Sequence, residues 1–410
     1  MSALEHLWSE RVRSGPAFGH GPGIQPTVPI RYNFGQGVPA PEAYPIADLQ
    51  RYAAQVLDQG ADVLDYASTG STDELVLGYT GLRQQLASWI KLRQGREVAV
   101  GDIMVGAGSI QCLSLIASAF VGPGDGVIVE ASTFPYPVQF LRATGATVGT
   151  VPLDENGMET DILEERLREL QQAGVRPKLV YTIATFQVPT ATVLPVERRR
   201  RLIELAEEWD LVIVEDNCYY ETRLEGEDVP TIFSLDHTGR VILTDSFSKI
   251  LAPALRTGWV AAHPTLMQAI MRMRQDLGPS QWIARVLEAY MGDGRLQPQI
   301  DAVRAINRRK RDVTDAALQR HCAPWIRYQK PMGGLYFWLE LAEELDWEKV
   351  AIDAAQRGIA CRGGETYLGD ESGRRFLRIA YLHESEEQIE WGIRTLGEVL
   401  ATCARSPQRS

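Results

Sequence analysis

Thr244-Asp245-Ser246-Phe247-Ser248-Lys249-Ile250-Leu251-Ala252-Pro253-Ala254-Leu255-Arg256 follows directly on the apolar run Val241-Ile242-Leu243. The run predicts a buried strand, and Gly258-Trp259-Val260-Ala261-Ala262 predicts a second one just beyond. Between the two stand serine hydroxyls, a lysine and an arginine. A lysine at the mouth of a sheet is poorly hydrated and gives up its proton readily, which suits imine formation with a carbonyl. Ser246, Ser248 and Arg256 are groups that surround a phosphate. Lysine and phosphate cradle together point to pyridoxal 5'-phosphate. Taken alone, Lys249 reads equally well as a solvated loop lysine.

Working outward, the chain from Asp102 onward alternates strand and helix. Strands are predicted at 103–105, 126–130, 147–151, 179–183 and 211–215, with helices at 109–120, 161–173 and 196–209. Alternation of this kind signals an α/β domain around a mostly parallel sheet. Ligands of such sheets sit beyond the carboxyl ends of the strands. Ahead of this domain, helices are predicted at 46–57 and 81–92, with a loop insertion at 68–78. After Ala262 the pattern changes to helices through 318, a long charged helix at 297–321, and strands at 325–328 and 335–339. A helix at 347–357, short strands near 359 and at 376–380, and a last helix at 385–401 complete an α+β second domain. Residues 15–29 read as an irregular arm, and the polar tail 405–410 as frayed. The expected organisation is an arm at 1–45, a large domain at 46–290 and a small domain at 291–410, with the arm packing against the small domain.

At 410 residues the chain exceeds one ordinary core, which agrees with two domains. A net charge of -11 with no basic block argues against a nucleic-acid partner. Five scattered cysteines without CxxC spacing fit reduced thiols in the cytoplasm, and six dispersed histidines offer no metal signature. The first residues carry charges where a signal peptide needs an apolar run. No stretch reaches the ~18 apolar residues of a membrane span.

The residues that follow the predicted strands carry the chemistry. Gly108-Ser109 opens a helix, where N–H groups and the positive helix end hold a phosphate; an ordinary N-cap serine is the competing reading. Asp216 ends a strand, either as a turn residue or as the carboxylate that keeps a pyridine nitrogen protonated. Tyr219 reads as a partner for a phenolic oxygen or as a packed aromatic, and Phe134 as a ring stacked on a pyridine or as core. Arg378 is a charge inside the apolar strand Phe376-Leu377-Arg378-Ile379-Ala380 and needs an anionic partner, a substrate carboxylate or a structural acid. Gly37, before Val38-Pro39, lets backbone approach a ligand or simply makes a turn.

In this order, the residues resemble the fold-type I pyridoxal-phosphate enzymes, and most of all the class I/II aminotransferases close to kynurenine and 2-aminoadipate aminotransferases. The resemblance runs from Asn33 to about Leu400. Its strongest element is Ser246-Phe247-Ser248-Lys249 with Arg256, supported by Gly108-Ser109 and Glu130-Ala131-Ser132-Thr133-Phe134. Gln187-Val188-Pro189-Thr190, Glu215-Asp216-Asn217-Cys218-Tyr219, Pro331-Met332-Gly333-Gly334 and Leu377-Arg378-Ile379 add to it. It implies a mostly parallel, seven-stranded-type sheet with helices on both faces, and a smaller α+β C-terminal domain.

The resemblance also implies roles. Lys249 is the Schiff-base lysine and the proton shuttle at a Cα carbanion, Asp216 pairs with the pyridinium, and Tyr219 bonds the phenolic oxygen. Phe134 stacks; Ser109, Ile110, Ser246, Ser248 and Arg256 hold the phosphate end, with Tyr66 reaching across a homodimer interface. Arg378 and the backbone at Gly37 hold the substrate carboxylate. One departure stands out: the family reads Phe-Gln-Asn-Pro-Thr-Gly, whereas this chain has Phe186-Gln187-Val188-Pro189-Thr190-Ala191. The family's asparagine bonds the cofactor's phenolic oxygen, and valine cannot. The implied activity is transamination of an amino acid to a 2-oxo acid. Val188, the 68–78 insertion and Asn217-Cys218 motivate an alternative, in which the same carbanion drives β/γ-elimination, replacement or cyclisation. A regulatory module with this domain would need a DNA-binding domain ahead of it, and only a short arm precedes Asn33.

Overall fold

A computed structural model describes residues 4–8, 28–66, 72–369 and 371–404. A seven-stranded sheet organises the larger part. Its strands are β1 (Ile103–Gly106), β2 (Asp125–Glu130), β3 (Thr147–Val151), β4 (Arg176–Thr182), β5 (Val212–Asp216), β6 (Val241–Ser246) and β7 (Gly258–Ala261). The spatial order is β1-β7-β6-β5-β4-β2-β3. Strands β3, β2, β4, β5 and β6 pair in parallel, and β7 runs antiparallel to both β6 and β1. The resulting α/β sheet is mostly parallel, with helices on both faces.

Both faces of the sheet are buried, which is why its strands read as near-continuous apolar runs rather than alternating ones. Met104, Val127, Val129, Val214, Ile242 and Val260 face one core, shared with the Ser109–Phe120 and Pro264–Met273 helices. Ile103, Val105, Ile128, Ile213, Leu243 and Trp259 face the other. There the Thr80–Gln94, Thr160–Gln172, Val196–Glu208 and Gln281–Gly292 helices supply the covering side chains.

The second sheet has four antiparallel strands, in the order Ile326–Arg327, Tyr336–Leu341, Phe376–Ala380, Arg362–Gly363. The 26-residue Leu296–His321 helix and the Glu386–Thr402 helix pack together beside it. Ser385 starts the latter with a capping box to Gln388. The first core continues from the large sheet into this one through Phe337, Leu339 and Ile379. Near the N-terminus, Tyr32–Asn33 pairs in parallel with Ile359–Ala360, and Ala380 N–H donates to the Phe34 carbonyl at 2.8 Å. This places Gly35 to Gly37 between the two sheets.

Two local expectations fail. Part of the predicted loop insertion at 68–78 is a helix, Thr72–Leu77, while 67–71 lie outside the described residues. Six residues are too few to display a helical repeat, so good formers such as Glu74, Leu75 and Leu77 were masked by their polar neighbours. A helix at Pro135–Ala143 is not among the predicted elements, although it begins with Pro135 and carries Pro137 in its first turn. Proline is tolerated in a first turn, where its missing N–H has no intrahelical partner anyway. The arm before residue 28 and the tail 405–410 lie outside the described residues. Among the described residues no helix is long and apolar enough to cross a membrane, and no group of acids, histidines and cysteines could hold a metal.

Candidate active site

A cavity of about 320 Å³ opens where the carboxyl ends of β1, β2, β4, β5 and β6 meet the second sheet. Ser109 and Ile110 reach it from after β1, Phe134 from after β2, and Asp216 and Tyr219 from β5 and the turn beyond. Ser246, Ser248, Lys249 and Arg256 come from β6 and the segment after it, Gly37 from the N-terminal segment and Arg378 from the small sheet.

At one end the groups form an anion cradle. Gly108 takes φ 84°, and the Ser109–Phe120 helix then begins with its N–H groups toward the cavity. A Cβ at Gly108 would lie 2.5 Å from the Arg256 guanidinium, so glycine alone leaves room for it. Arg256 itself adopts φ 47° and donates to the carbonyls of Ala107 at 3.0 Å and Pro253 at 3.2 Å. Ser248 N–H donates to Ser246 Oγ at 2.9 Å, fixing both serines at the end of β6. On β7, a Cβ at Gly258 would meet Ser109 N at 2.5 Å, so that glycine lets the strand approach the loop.

The middle of the cavity holds Lys249 and Asp216. Lys249 Nζ donates to the Gly37 carbonyl at 2.7 Å and lies 5.7 Å from the centre of the Tyr219 ring. Asp216 is buried and accepts from Tyr181 Oη at 3.0 Å and from Cys218 N at 3.4 Å. Burial pushes its carboxyl up, against the hydrogen bonds from Cys218 and Tyr181 that lower it. No arginine or lysine among the described residues forms an ion pair with it. A buried carboxylate in that position calls for a cation. Tyr219 Oη lies 3.3 Å from Tyr336 Oη. Burial, with Tyr336 alongside, raises the Tyr219 phenol. Burial also acts to raise Tyr336, but the charges of Lys249 and Arg378 outweigh it and leave that phenol lowered.

Behind these groups the Glu130 carboxylate accepts from Thr133 Oγ1 (2.9 Å), Thr182 Oγ1 (2.7 Å), Ile183 N (3.0 Å) and Gln187 Nε2 (2.9 Å). Gln187 also donates to the Ser132 carbonyl at 2.5 Å. The network pins the loop that presents Val188 to the cavity. At the far end Arg378 donates to the Gly35 carbonyl and lies 4.4 Å over the Tyr336 ring. Its Nε has no partner among the described residues.

Of the residues singled out in the sequence, Tyr66 does not line the cavity. It is 76% exposed and sits in a separate groove with Leu277 and Trp282. The structure also brings in residues that the sequence did not flag: Tyr136, Ile183, Tyr336, Arg362 and Tyr367. Tyr336 had a signal, since it follows Gly333-Gly334 in a strand paired to that of Arg378. Arg362 and Tyr367 had none, because a two-residue strand and a four-residue helix leave no periodicity to read.

The chain matches the family described as aminotransferase class I and II over residues 55–396. It is 35% identical over 367 residues to the aromatic-amino-acid aminotransferase 1 of Thermococcus litoralis, covering 89% of this chain and 86% of that one. The structure is similar to that of a multiple substrate aminotransferase from Thermococcus profundus, with a TM-score of 0.88, 34% identity and 98% of each chain covered. It is also similar to an α-aminoadipate aminotransferase from Thermus thermophilus, solved with N-(5'-phosphopyridoxyl)-L-leucine. That likeness has a TM-score of 0.81 and 31% identity, covering 90% of this chain and 92% of that one.

Proposed function

The chain belongs to the class I and II aminotransferases, and from that premise we propose that it moves the amino group of an α-amino acid to a 2-oxo acid, with Lys249 as the proton carrier. It is a pyridoxal 5'-phosphate enzyme, and the residues of the cavity fit that cofactor. The cradle at Ser109, Ser246, Ser248 and Arg256 suits its phosphate. The buried Asp216, which forms no ion pair among the described residues, suits its ring nitrogen. When bound, the cofactor supplies an aldehyde for the substrate's amine and a ring that accepts the electron pair released at Cα.

The observation that carries the proposal is the placing of Lys249 Nζ, 2.7 Å from the Gly37 carbonyl, in one cavity with Asp216 and Arg378. Lys249 Nζ takes up the proton from the substrate's Cα, a general-base contribution of about 10²–10⁴ in rate. Asp216 holds a proton on the ring nitrogen, because its buried negative charge is stabilised by a neighbouring positive one. Phe134 would pack against the ring, and Tyr219 would donate to its phenolic oxygen. Arg378 orients the substrate by gripping the α-carboxylate, aided by the Gly37 backbone.

Incubating the holoenzyme with an amino acid panel and a 2-oxo acid acceptor tests this. Transamination yields the matching 2-oxo acid and aminated acceptor in equal amounts by ping-pong kinetics. Release of a side-chain group without acceptor amination would favour the second reading, elimination, replacement or cyclisation. Val188 in the cavity lining motivates that reading, since it removes a hydrogen-bond donor beside the ring. We further propose a homodimer in which Tyr66 serves the partner's site, and a cytoplasmic location.

A further inference from the structure

We propose that Arg362 is a second carboxylate-binding residue, which selects α-amino acids bearing an anionic side chain; the inference rests on the assignment of this cavity to amino-acid transamination. Arg362 lines the cavity and lies directly opposite Arg378 in the antiparallel pairing of Arg362–Gly363 with Phe376–Ala380. Like charges directly opposite one another on neighbouring strands are destabilising. No acid among the described residues forms an ion pair with either arginine. Among the described residues Arg362 forms no hydrogen bond or ion pair, and Asp216 is the only acidic side chain that lines the cavity. Just before the Phe376–Ala380 strand Arg375, by contrast, is paired with Glu340 and Glu343.

The other charges in the cavity have assigned partners. Arg256 lies in the phosphate cradle, Asp216 answers the ring nitrogen, Lys249 handles the proton at Cα, and Arg378 takes the α-carboxylate. One guanidinium is left over. Arginine presents a planar fork that matches a carboxylate with two parallel hydrogen bonds. The two opposed guanidinium groups can therefore hold the two ends of one diacid, the anion between them relieving the repulsion that the sheet register imposes. A neutral side chain of the same length leaves Arg362 unmatched.

Ligand binding to the holoenzyme, measured by calorimetry, tests this without any turnover. The probes are succinate, glutarate and adipate, each matched to the monocarboxylate of equal carbon number: butyrate, valerate and hexanoate. Because they lack an amino group, their binding is read whether or not amino transfer occurs. Failure of the transamination reading would instead appear as absent acceptor amination in the panel assay. We expect at least one diacid to bind about tenfold or more tightly than its partner, the scale of a charge-assisted bidentate contact. R362M should collapse that ratio, R362K should recover part of it, and R378M should weaken diacid and monoacid alike. Equal affinities within all three pairs in the unaltered protein would overturn the proposal, whatever the variants do. So would a ratio that survives R362M.

Discussion

Val188→Asn restores a donor where the family carries one, and its effect can be worked out from the surroundings. Val188 is 1% exposed and lines the cavity beside Ile183. Its backbone is held by the Gln187 network: Gln187 N–H donates to the Thr192 carbonyl at 3.0 Å, and Ala191 N–H to the Gln187 carbonyl at 2.6 Å. A side chain of similar size at this position therefore points into the cavity as valine does. A hydrogen bond to a charged group is worth about 1.5–3 kcal/mol. At 1.36 kcal/mol per pH unit, that is a shift of about one to two units in the titration of the bound cofactor. The sign follows from where the charge lies. A donor to the phenolic oxygen stabilises its negative charge, so that oxygen holds the neighbouring nitrogen's proton less tightly. The pH at which the colour changes therefore falls in V188N, and the unaltered protein titrates above ordinary aminotransferases. An absorbance titration of both holoenzymes measures this directly. The cofactor-free variant should also unfold more easily, by about 1–3 kcal/mol, because its buried amide lacks a partner until the cofactor arrives. A titration that moves upward, or by less than about 0.3 unit (some 0.4 kcal/mol), would refute the reasoning.

Two further outcomes follow from the same cavity. Tyr336→Phe removes the hydroxyl 3.3 Å from Tyr219 Oη and leaves a buried phenol without that partner. Urea unfolding should show a loss of about 1 kcal/mol, and an unchanged midpoint would mean the two hydroxyls do not bond. For Asp216 the linkage runs opposite to that of an ordinary ion-paired carboxylate. Its folded-state value is raised above its unfolded one, so the folded protein binds the extra proton and stability falls as pH rises from the usual carboxylate range through the raised value. In the cofactor-free protein, D216N should therefore be less sensitive to that rise than the unaltered chain. Parallel stability profiles against pH would count against the burial argument.

The large sheet was legible because its strands are buried on both faces. Val241-Ile242-Leu243 or Ile103-Met104-Val105 can be read as strand without knowing which neighbour lies beside it. The Ile46–Leu57 helix was likewise legible, since a strong amphipathic repeat survives any context. The site residues at strand ends followed from topology, because a parallel sheet exposes its carboxyl ends to ligand. What the sequence hid comes from long-range pairing. The Tyr181 hydroxyl reaches Asp216 only because β4 and β5 are neighbours. The opposition of Arg362 and Arg378 is a register, set by an antiparallel pairing whose first strand has two residues and is separated from the second by two short helices. Glu130 reads as one more strand residue until four donors from three separate segments are seen to converge on it.

The polar groups of the cavity divide by how they are held, and the division bears on selectivity. Those of the phosphate end are fixed through backbone: a helix start at Ser109, a left-handed φ at Arg256, an N–H from Ser248 to Ser246 Oγ. The groups of the opposite end are side chains that answer to each other's charge. Tyr336 is lowered because Lys249 and Arg378 outweigh its burial, so its acidity depends on whether those charges are matched. On the proposed role of Arg378, a bound α-carboxylate would offset its charge, and the Tyr336 phenol would then be a poorer acid. If Tyr219 bonds the cofactor's phenolic oxygen as proposed, charge matching at the substrate end would reach that oxygen through the Tyr336–Tyr219 contact, where Val188 supplies no competing donor. On that reading the absence of a donor at Val188 would make the state of the cofactor answerable to the charge of the substrate, and V188N should weaken that dependence.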